Sequence, residues 1–201
     1  MISKADDFFL NQNLPLYFPH REAMQSGDLL QWRSETPIGG AIRFFRGLKV
    51  WIGQVCTKCQ WSWPKIDENH SSWVIKGPYK EEAERRWHCE SVNKGLVPRL
   101  LSERLLEHKG TVYWYALLQR HDNKRDCINR WAYNHLILGY DFLSVFRQIY
   151  RSVKIGLSRV FCSEAVCAVM LICGLTKNKK ALPPDKVRTL NLWQQKGVRI
   201  K

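Results

Sequence analysis

The run from Cys162 to Cys173 is apolar on nearly every side and stops at Gly174. A helix that is apolar all round has to be covered all round, so the rest of the chain must supply the layers that enclose it. Its most apolar stretch, Ala165 to Cys173, is nine residues long, far short of the ~20 needed to cross a bilayer as a helix. The expectation is therefore a buried helix in a soluble domain. With 201 residues, 45% hydrophobic and 12% aromatic, the chain has ample material for one packed core, which excludes a disordered or fibrous protein.

The covering layers are read from periodicity. Residues 1–23 contain Pro15 and Pro19 and no sustained period, and are expected to form an N-terminal arm. Gln25-Ser-Gly-Asp28 signals a turn, followed by a short strand over Leu29-Leu-Gln-Trp32. From Pro37 to Arg46, Ile38, Ala41, Ile42 and Phe45 recur at helical intervals with Arg43 and Arg46 turned away, and Gly47 is placed to end the helix. Ser71 to Ile75 and Arg86 to Val92 read as paired strands, and Thr111 to Leu118 is the strongest strand in the sequence. Asp126 to Leu138 has a helical apolar face closed by Gly139, and Asp141 to Arg151 also reads as helix. Together these predict an α+β domain with a small antiparallel sheet packed against helices.

The formal charge of +14, from 32 Lys and Arg against 18 Asp and Glu, predicts attraction to anionic surfaces without choosing among nucleic acid, lipid headgroups and acidic polymers. After Thr176 there are eight basic residues against Asp185 alone, so much of the excess is expected in a solvated basic tail. Seven cysteines form no dense framework of spacings, which favours a reducing compartment. The N-terminus has early acids and only a short apolar run, unlike a signal peptide. Both point to the cytoplasm.

Chemistry is sought where Arg159-Val-Phe-Cys-Ser-Glu164 gives way to the buried helix. A sulfur at a helix N-terminus meets unpaired N–H groups and the positive end of the dipole, which favour the thiolate and can bind an oxyanion. The bland alternative makes Cys162 a small buried hydrophobe like Cys167 and Cys173. Of the six histidines, His20 lies in the arm, His108 and His121 in polar turns, and His135 on a core-facing helical position. His70 and His88 remain, each at or near a strand. Alternation puts His70, Ser72 and Val74 on one face and aligns His88 with Glu90. If the strands are adjacent, Glu90 accepts a hydrogen bond from one ring nitrogen of His70 and leaves the other for a thiol. Otherwise Glu90 is an exposed strand charge paired with Arg86 or Arg99.

The ordered set Gln25-Ser-Gly-Asp-Leu-Leu-Gln-Trp32, Pro37-Ile-Gly-Gly-Ala-Ile-Arg-Phe-Phe45, Asn69-His-Ser-Ser-Trp-Val-Ile75, Cys89-Glu-Ser91, Gly139-Tyr-Asp-Phe142 and Val160-Phe-Cys-Ser-Glu164 resembles the YiiX/YaeF-like group of permuted NlpC/P60 hydrolases. The resemblance spans roughly residues 24–190, with an insert at about 48–67 and a basic tail over 191–201. It implies a circularly permuted papain-like fold, in which the histidine strand precedes the cysteine helix. It also implies a cysteine hydrolase of amidase, peptidase or esterase type, or an acyltransferase, with Cys162 as nucleophile, His70 as base and Glu90 as the polar third member. By the same pattern Tyr140 borders the acyl site or helps hold the oxyanion. No cofactor is implied, and the substrate is a peptide, a peptidoglycan stem or a lipid carrying an amide or ester. A different alignment would set Trp51-Ile-Gly-Gln-Val55 at the histidine strand and remove the base; His70 is favoured because Glu90 then follows in sequence.

One rival constellation competes. Cys56-x-x-Cys59 has half the spacing of a zinc site, and His88 with Cys89 could complete it. That set would make the chain a zinc-stabilised basic module binding nucleic acid or another anionic partner, without catalysis.

Overall fold

The computed structural model describes residues 4–35, 37–58, 68–77, 85–92, 95–136, 153–154 and 162–201. Its centre is a six-stranded sheet formed by β1 (Leu29–Ser34), β2 (His70–Ile75), β3 (Trp87–Val92), β4 (Gly95–Leu100), β5 (Gly110–Tyr115) and a short C-terminal β8 (Val198–Arg199). The order is β4-β3-β2-β1-β5-β8, and every neighbouring pair is antiparallel. Strands β6 (Val153–Lys154) and β7 (Lys180–Ala181) form a separate two-stranded ribbon. Pro98 has no N–H for a ladder and is carried by β4, a strand that pairs on one side only.

Two cores follow from strand alternation. One face carries Leu29, Trp73, Ile75, Cys89 and Tyr115 and packs against α4 (Arg125–Asn134) and α5 (Cys162–Ile172). The other carries Leu30, Trp32, Val74, Val112 and Trp114 and packs against α1 (Lys4–Asn13), the segment after it, and α3 (Leu101–Glu107). Helix α5 is buried from Cys162 to Met170, as an all-round apolar helix requires. Cys127 on α4 and Cys173 just after α5 form a disulfide across 46 residues, which staples the two helices over the sheet and corrects the reading of Cys173 as a small buried hydrophobe.

The predicted turn before β1 holds the layers in register. Gly27 has a φ of 89°, open to glycine at little cost. Asp28 is buried and accepts hydrogen bonds from the N–H groups of Gln25 and Leu117, from Trp114 Nε1 and from Arg125. One carboxylate thus ties β1 to the end of β5 and to α4.

Several expectations are corrected. The helix from Pro37 does not stop at Gly47 but runs to Lys58 as α2 (Pro37–Lys58). Trp51 to Val55 is therefore helix, which removes the alignment that set it at the histidine strand. The arm contains α1 and a 3-10 turn (Phe18–Ala23), with Leu14 and Tyr17 buried. The basic tail is built into the fold, since Leu192, Trp193 and Ile200 are buried and β8 pairs with β5. The helix predicted over 141–151 lies outside the described residues. Among the described residues no helix is long and apolar enough to cross a membrane.

Asp28→Ala is expected to cost about 3–5 kcal/mol, because it leaves the buried Trp114 Nε1 and the Leu117 N–H without their acceptor and takes one of two carboxylates from Arg125. Asp126→Ala, at a side chain 81% exposed, should cost less than about 0.5 kcal/mol. Urea denaturation of both variants measures the contrast; equal small losses would contradict the hub.

Candidate active site

Antiparallel pairing of β2 with β3 sets Ser72 opposite Glu90 and Val74 opposite His88. Because side chains alternate, His70, Ser72 and Val74 share a face with His88 and Glu90. His70 opens β2 at the end of this ladder. Its ring nitrogen Nε2 donates to Glu90 Oε2 at 2.9 Å, leaving Nδ1 for the Cys162 thiol, to which the imidazole is also hydrogen-bonded.

Glu90 is fully buried, with no exposed surface. Its second oxygen, Oε1, accepts from Arg104 Nε at 3.0 Å, and Arg99 lies 3.6 Å away. Burial alone would raise this carboxyl's pKa, but the hydrogen bond and charge of His70, with the charge of Arg104, hold it well below the usual carboxylate range. Arg104 is itself seated over the Trp32 ring, 5.1 Å from the centroid, a cation–π contact that fixes its plane. Trp32 Nε1 donates to Ser72 Oγ at 2.7 Å, and that hydroxyl lies 3.1 Å from His88 Nδ1. Burial holds His88 neutral, with its pKa lowered to about 4. His88 therefore belongs to the packing behind the carboxylate.

Cys162 begins α5 and is 7% exposed. Burial would raise its thiol pKa, but the His70 charge and hydrogen bond and the N–H groups of Ser71 and Ser163 bring it below the ordinary thiol value. The Ser71 N–H is available because the β2–β3 pairing ends at Ser72. Its side chain is fixed as well: Ser71 Oγ donates to Gln31 Oε1 at 2.8 Å, and Gln31 Nε2 donates to the Pro184 carbonyl at 2.9 Å. His70 faces the opposite pressure. Burial disfavours its charge, yet the Cys162 sulfur and Glu90 raise its pKa to about 10. Both shifts run toward charge separation, a thiolate on Cys162 and an imidazolium on His70.

Cys162, His70 and Glu90 are thus brought together, whereas Tyr140 lies outside the described residues. Among the described residues the proposed zinc ligands are not brought together. Cys56 is exposed on α2, His88 and the buried Cys89 are consecutive strand residues on opposite faces of β3, and Cys59 lies outside the described residues. Among the described residues no group of three or more His, Cys, Asp and Glu is arranged to hold a metal ion. Sequence reasoning missed Arg104 as the partner of Glu90, because it did not anticipate β4 and α3. The helical spacing of Leu101, Arg104 and Leu105 behind a strand ending at Leu100 was the available signal.

Cys162 should alkylate with iodoacetamide at a pH below the ordinary thiol range, while Cys167, whose pKa burial raises to about 11, stays unlabelled in the folded protein. Glu90→Gln removes the charge that favours the imidazolium, so the pH midpoint for Cys162 should move up toward ~8.5. Mass spectrometry across pH reads both, and an unmoved midpoint would sink the carboxylate's assigned effect.

No known protein family and no curated protein matches the sequence. Among solved structures the chain is similar to the crystal structure of metalloprotein yiiX from Escherichia coli O157:H7, DUF1105. The TM-score is 0.51 at 17% sequence identity, over 77% of this chain and 68% of that one. The two share a fold.

Proposed function

We propose that this chain is a permuted papain-like cysteine hydrolase that works through an acyl-thioester on Cys162. The observation that carries the reading is the hydrogen-bonded series Cys162–His70–Glu90, with a lowered thiol pKa at the start of a buried helix. The order of the parts supports the permuted assignment, since the histidine strand precedes the cysteine helix in the chain. The shared fold with yiiX agrees with the grouping expected from the sequence motifs.

In this mechanism the Cys162 thiolate attacks an amide or ester carbonyl carbon, forming a C–S bond and a tetrahedral oxyanion. N–H groups in the first turn of α5 face the developing charge. Collapse breaks the C–N or C–O bond, and the His70 imidazolium gives its Nδ1 proton to the leaving amine or alcohol. His70 then takes a proton from water as it attacks the thioester; collapse breaks the C–S bond, the acid departs, and the Cys162 thiolate and His70 imidazolium are restored. Glu90 holds the ring so that Nδ1 faces sulfur throughout, and Arg104 holds Glu90. An alcohol or amine in place of water would make the same site an acyltransferase.

The yiiX neighbour is described as a metalloprotein. The donors here do not suit a metal: Glu90 Oε1 faces Arg104 and Arg99, Oε2 is taken by His70, and a cation would have to displace positive groups already bound. No step is routed through one.

Turnover of a panel of activated amides and esters, with intact-mass detection of the acyl-enzyme, tests the proposal. Cys162→Ala should abolish both the turnover and the mass increment, and His70→Ala should lower kcat about 10²–10⁴-fold. The rate should fall at acid pH as the thiolate is protonated, and again as pH rises through about 10, where His70 loses its proton. An acyl adduct that survives Cys162→Ala would refute the assignment.

A further inference from the structure

Gln31 and Ser71 are buried polar residues, paired across β1 and β2 on the face of the sheet that meets α5. Their neighbours on that face, Leu29, Trp73 and Ile75, are apolar. Burying an amide and a hydroxyl among them costs free energy unless the polar atoms are bonded. The directions of the bonds are forced. The Pro184 carbonyl can only accept, so the Gln31 amide turns Nε2 to it at 2.9 Å and Oε1 to Ser71. Ser71 Oγ donates to that oxygen at 2.8 Å, which commits the hydroxyl proton and leaves the Ser71 N–H as the donor to the Cys162 sulfur.

The far end of this series is docked on the helix that carries the sulfur. The Leu182 N–H donates to Cys167 Sγ on α5 at 3.5 Å, Pro184 and Val187 are buried, and Asp185 is held by Arg46 of α2 at 3.1 Å. Residues 182–187 therefore take their place from α5 and pass it through Gln31 to β1 and β2. Ser71 sits on β2 and Cys162 on α5, so the bond between N–H and sulfur depends on how the helix is set over the sheet. Apolar packing holds the two layers together but is non-directional. The Gln31 bridge supplies the direction, because its hydrogen bonds weaken steeply when one layer slides past the other.

We infer that Gln31 is a positioning residue for the Cys162 sulfur, acting through Ser71 and anchored on the Pro184 carbonyl. A donor held in line with sulfur favours the thiolate, so the bridge supports the charged form without touching it. Changes at the bridge leave in place the charged and titratable groups around the sulfur. These are His70 on β2, Glu90 on β3 with Arg99 and Arg104 behind it, and the buried Glu164 and Cys167 on α5. The inference deepens the cysteine-hydrolase reading and rests on it for turnover; the effect on sulfur is read without any substrate.

The test is the pH midpoint of Cys162 alkylation by iodoacetamide in the full chain, read by mass spectrometry. Ser71→Ala and Gln31→Met should each raise it by about 0.5–1, the effect of weakening one hydrogen bond to a charged group. The double variant should move it no further than Gln31→Met alone, because both act through one series of bonds. Trp193→Phe removes a buried bond from Nε1 to the Gly27 carbonyl, outside the site. It should lower stability to urea and leave the midpoint where it is. Circular dichroism shows that each variant is folded. In the two single bridge variants, turnover of an activated ester should fall about three- to tenfold in kcat with KM unchanged. The inference is overturned if the folded single variants keep the wild-type midpoint, if Trp193→Phe moves it as far, or if the single shifts add in the double. A moved midpoint in a protein that turns over no ester or amide upholds the positioning role and counts against the hydrolase; an unmoved midpoint with turnover intact does the reverse.

Discussion

The site depends on one buried carboxylate. Glu90 has no exposed surface, and stripping an ion of water costs several kcal/mol even after the protein relaxes. That cost is offset by hydrogen bonds from His70 and Arg104 and by the nearby Arg99. Each partner is oriented in turn: Arg104 by the Trp32 ring, His70 by its position at the start of β2. With Arg104 balancing Glu90, a proton moving from Cys162 to His70 changes no net charge in the cluster. Its direction is then decided by the local field, in which Glu90 favours a charged imidazole and the N–H groups of Ser71 and Ser163 favour a charged sulfur.

Such a cluster tolerates no slip in the sheet. A shift of one residue between β2 and β3 would turn Glu90 toward the apolar layer of α5 and bring Cys89 to His70. Register is therefore set from several sides. Trp73 and Ile75 must face α5, the Val74 N–H bonds the Asp28 carbonyl, and Trp32 reaches across to Ser72. The buried Asp28 secures the opposite end of β1 by drawing Trp114, Leu117 and Arg125 onto one carboxylate. Both ends of the β1–β2 ladder are thus held by buried acids with satisfied hydrogen bonds.

What the sequence made legible was local. Period-two alternation put His70 with Ser72 and Val74 and His88 with Glu90, leaving only the adjacency of the two strands to be supplied, and the switch from irregular chain to an apolar run was enough to set Cys162 at a helix start. The unread parts are relations between segments. Arg104 reaches Glu90 only because α3 folds back after β4, and the Ser71 N–H is free for sulfur only because the β2–β3 ladder stops one residue earlier. Charge misled at the C-terminus, where Lys196, Arg199 and Lys201 outweigh in composition the buried Leu192, Trp193 and Ile200 that dock the segment. Cys127 and Cys173, far apart in sequence, carry no spacing signal for their pairing.

Helix α2 shows a different limit. Its 3.6-residue period correctly separated an apolar side from Arg43 and Arg46, but a period distinguishes two sides of a helix without saying which of them meets the core. The usual assumption sends the apolar side inward. Here the Ser34 carbonyl and Asp185, whose side chain is only 8% exposed, wait at the protein surface, and each would lose a partner if the arginines turned out. Leaving a buried carboxylate unpaired costs more than exposing a few apolar side chains to water, because the first is a charge desolvation and the second only an area term. The Ser34 carbonyl and Asp185, which come from elsewhere in the fold, hold Arg43 and Arg46 inward beside the buried Gly47 and the half-buried Val50 and Trp51, and Phe45 and Ile52 are left on the outer side.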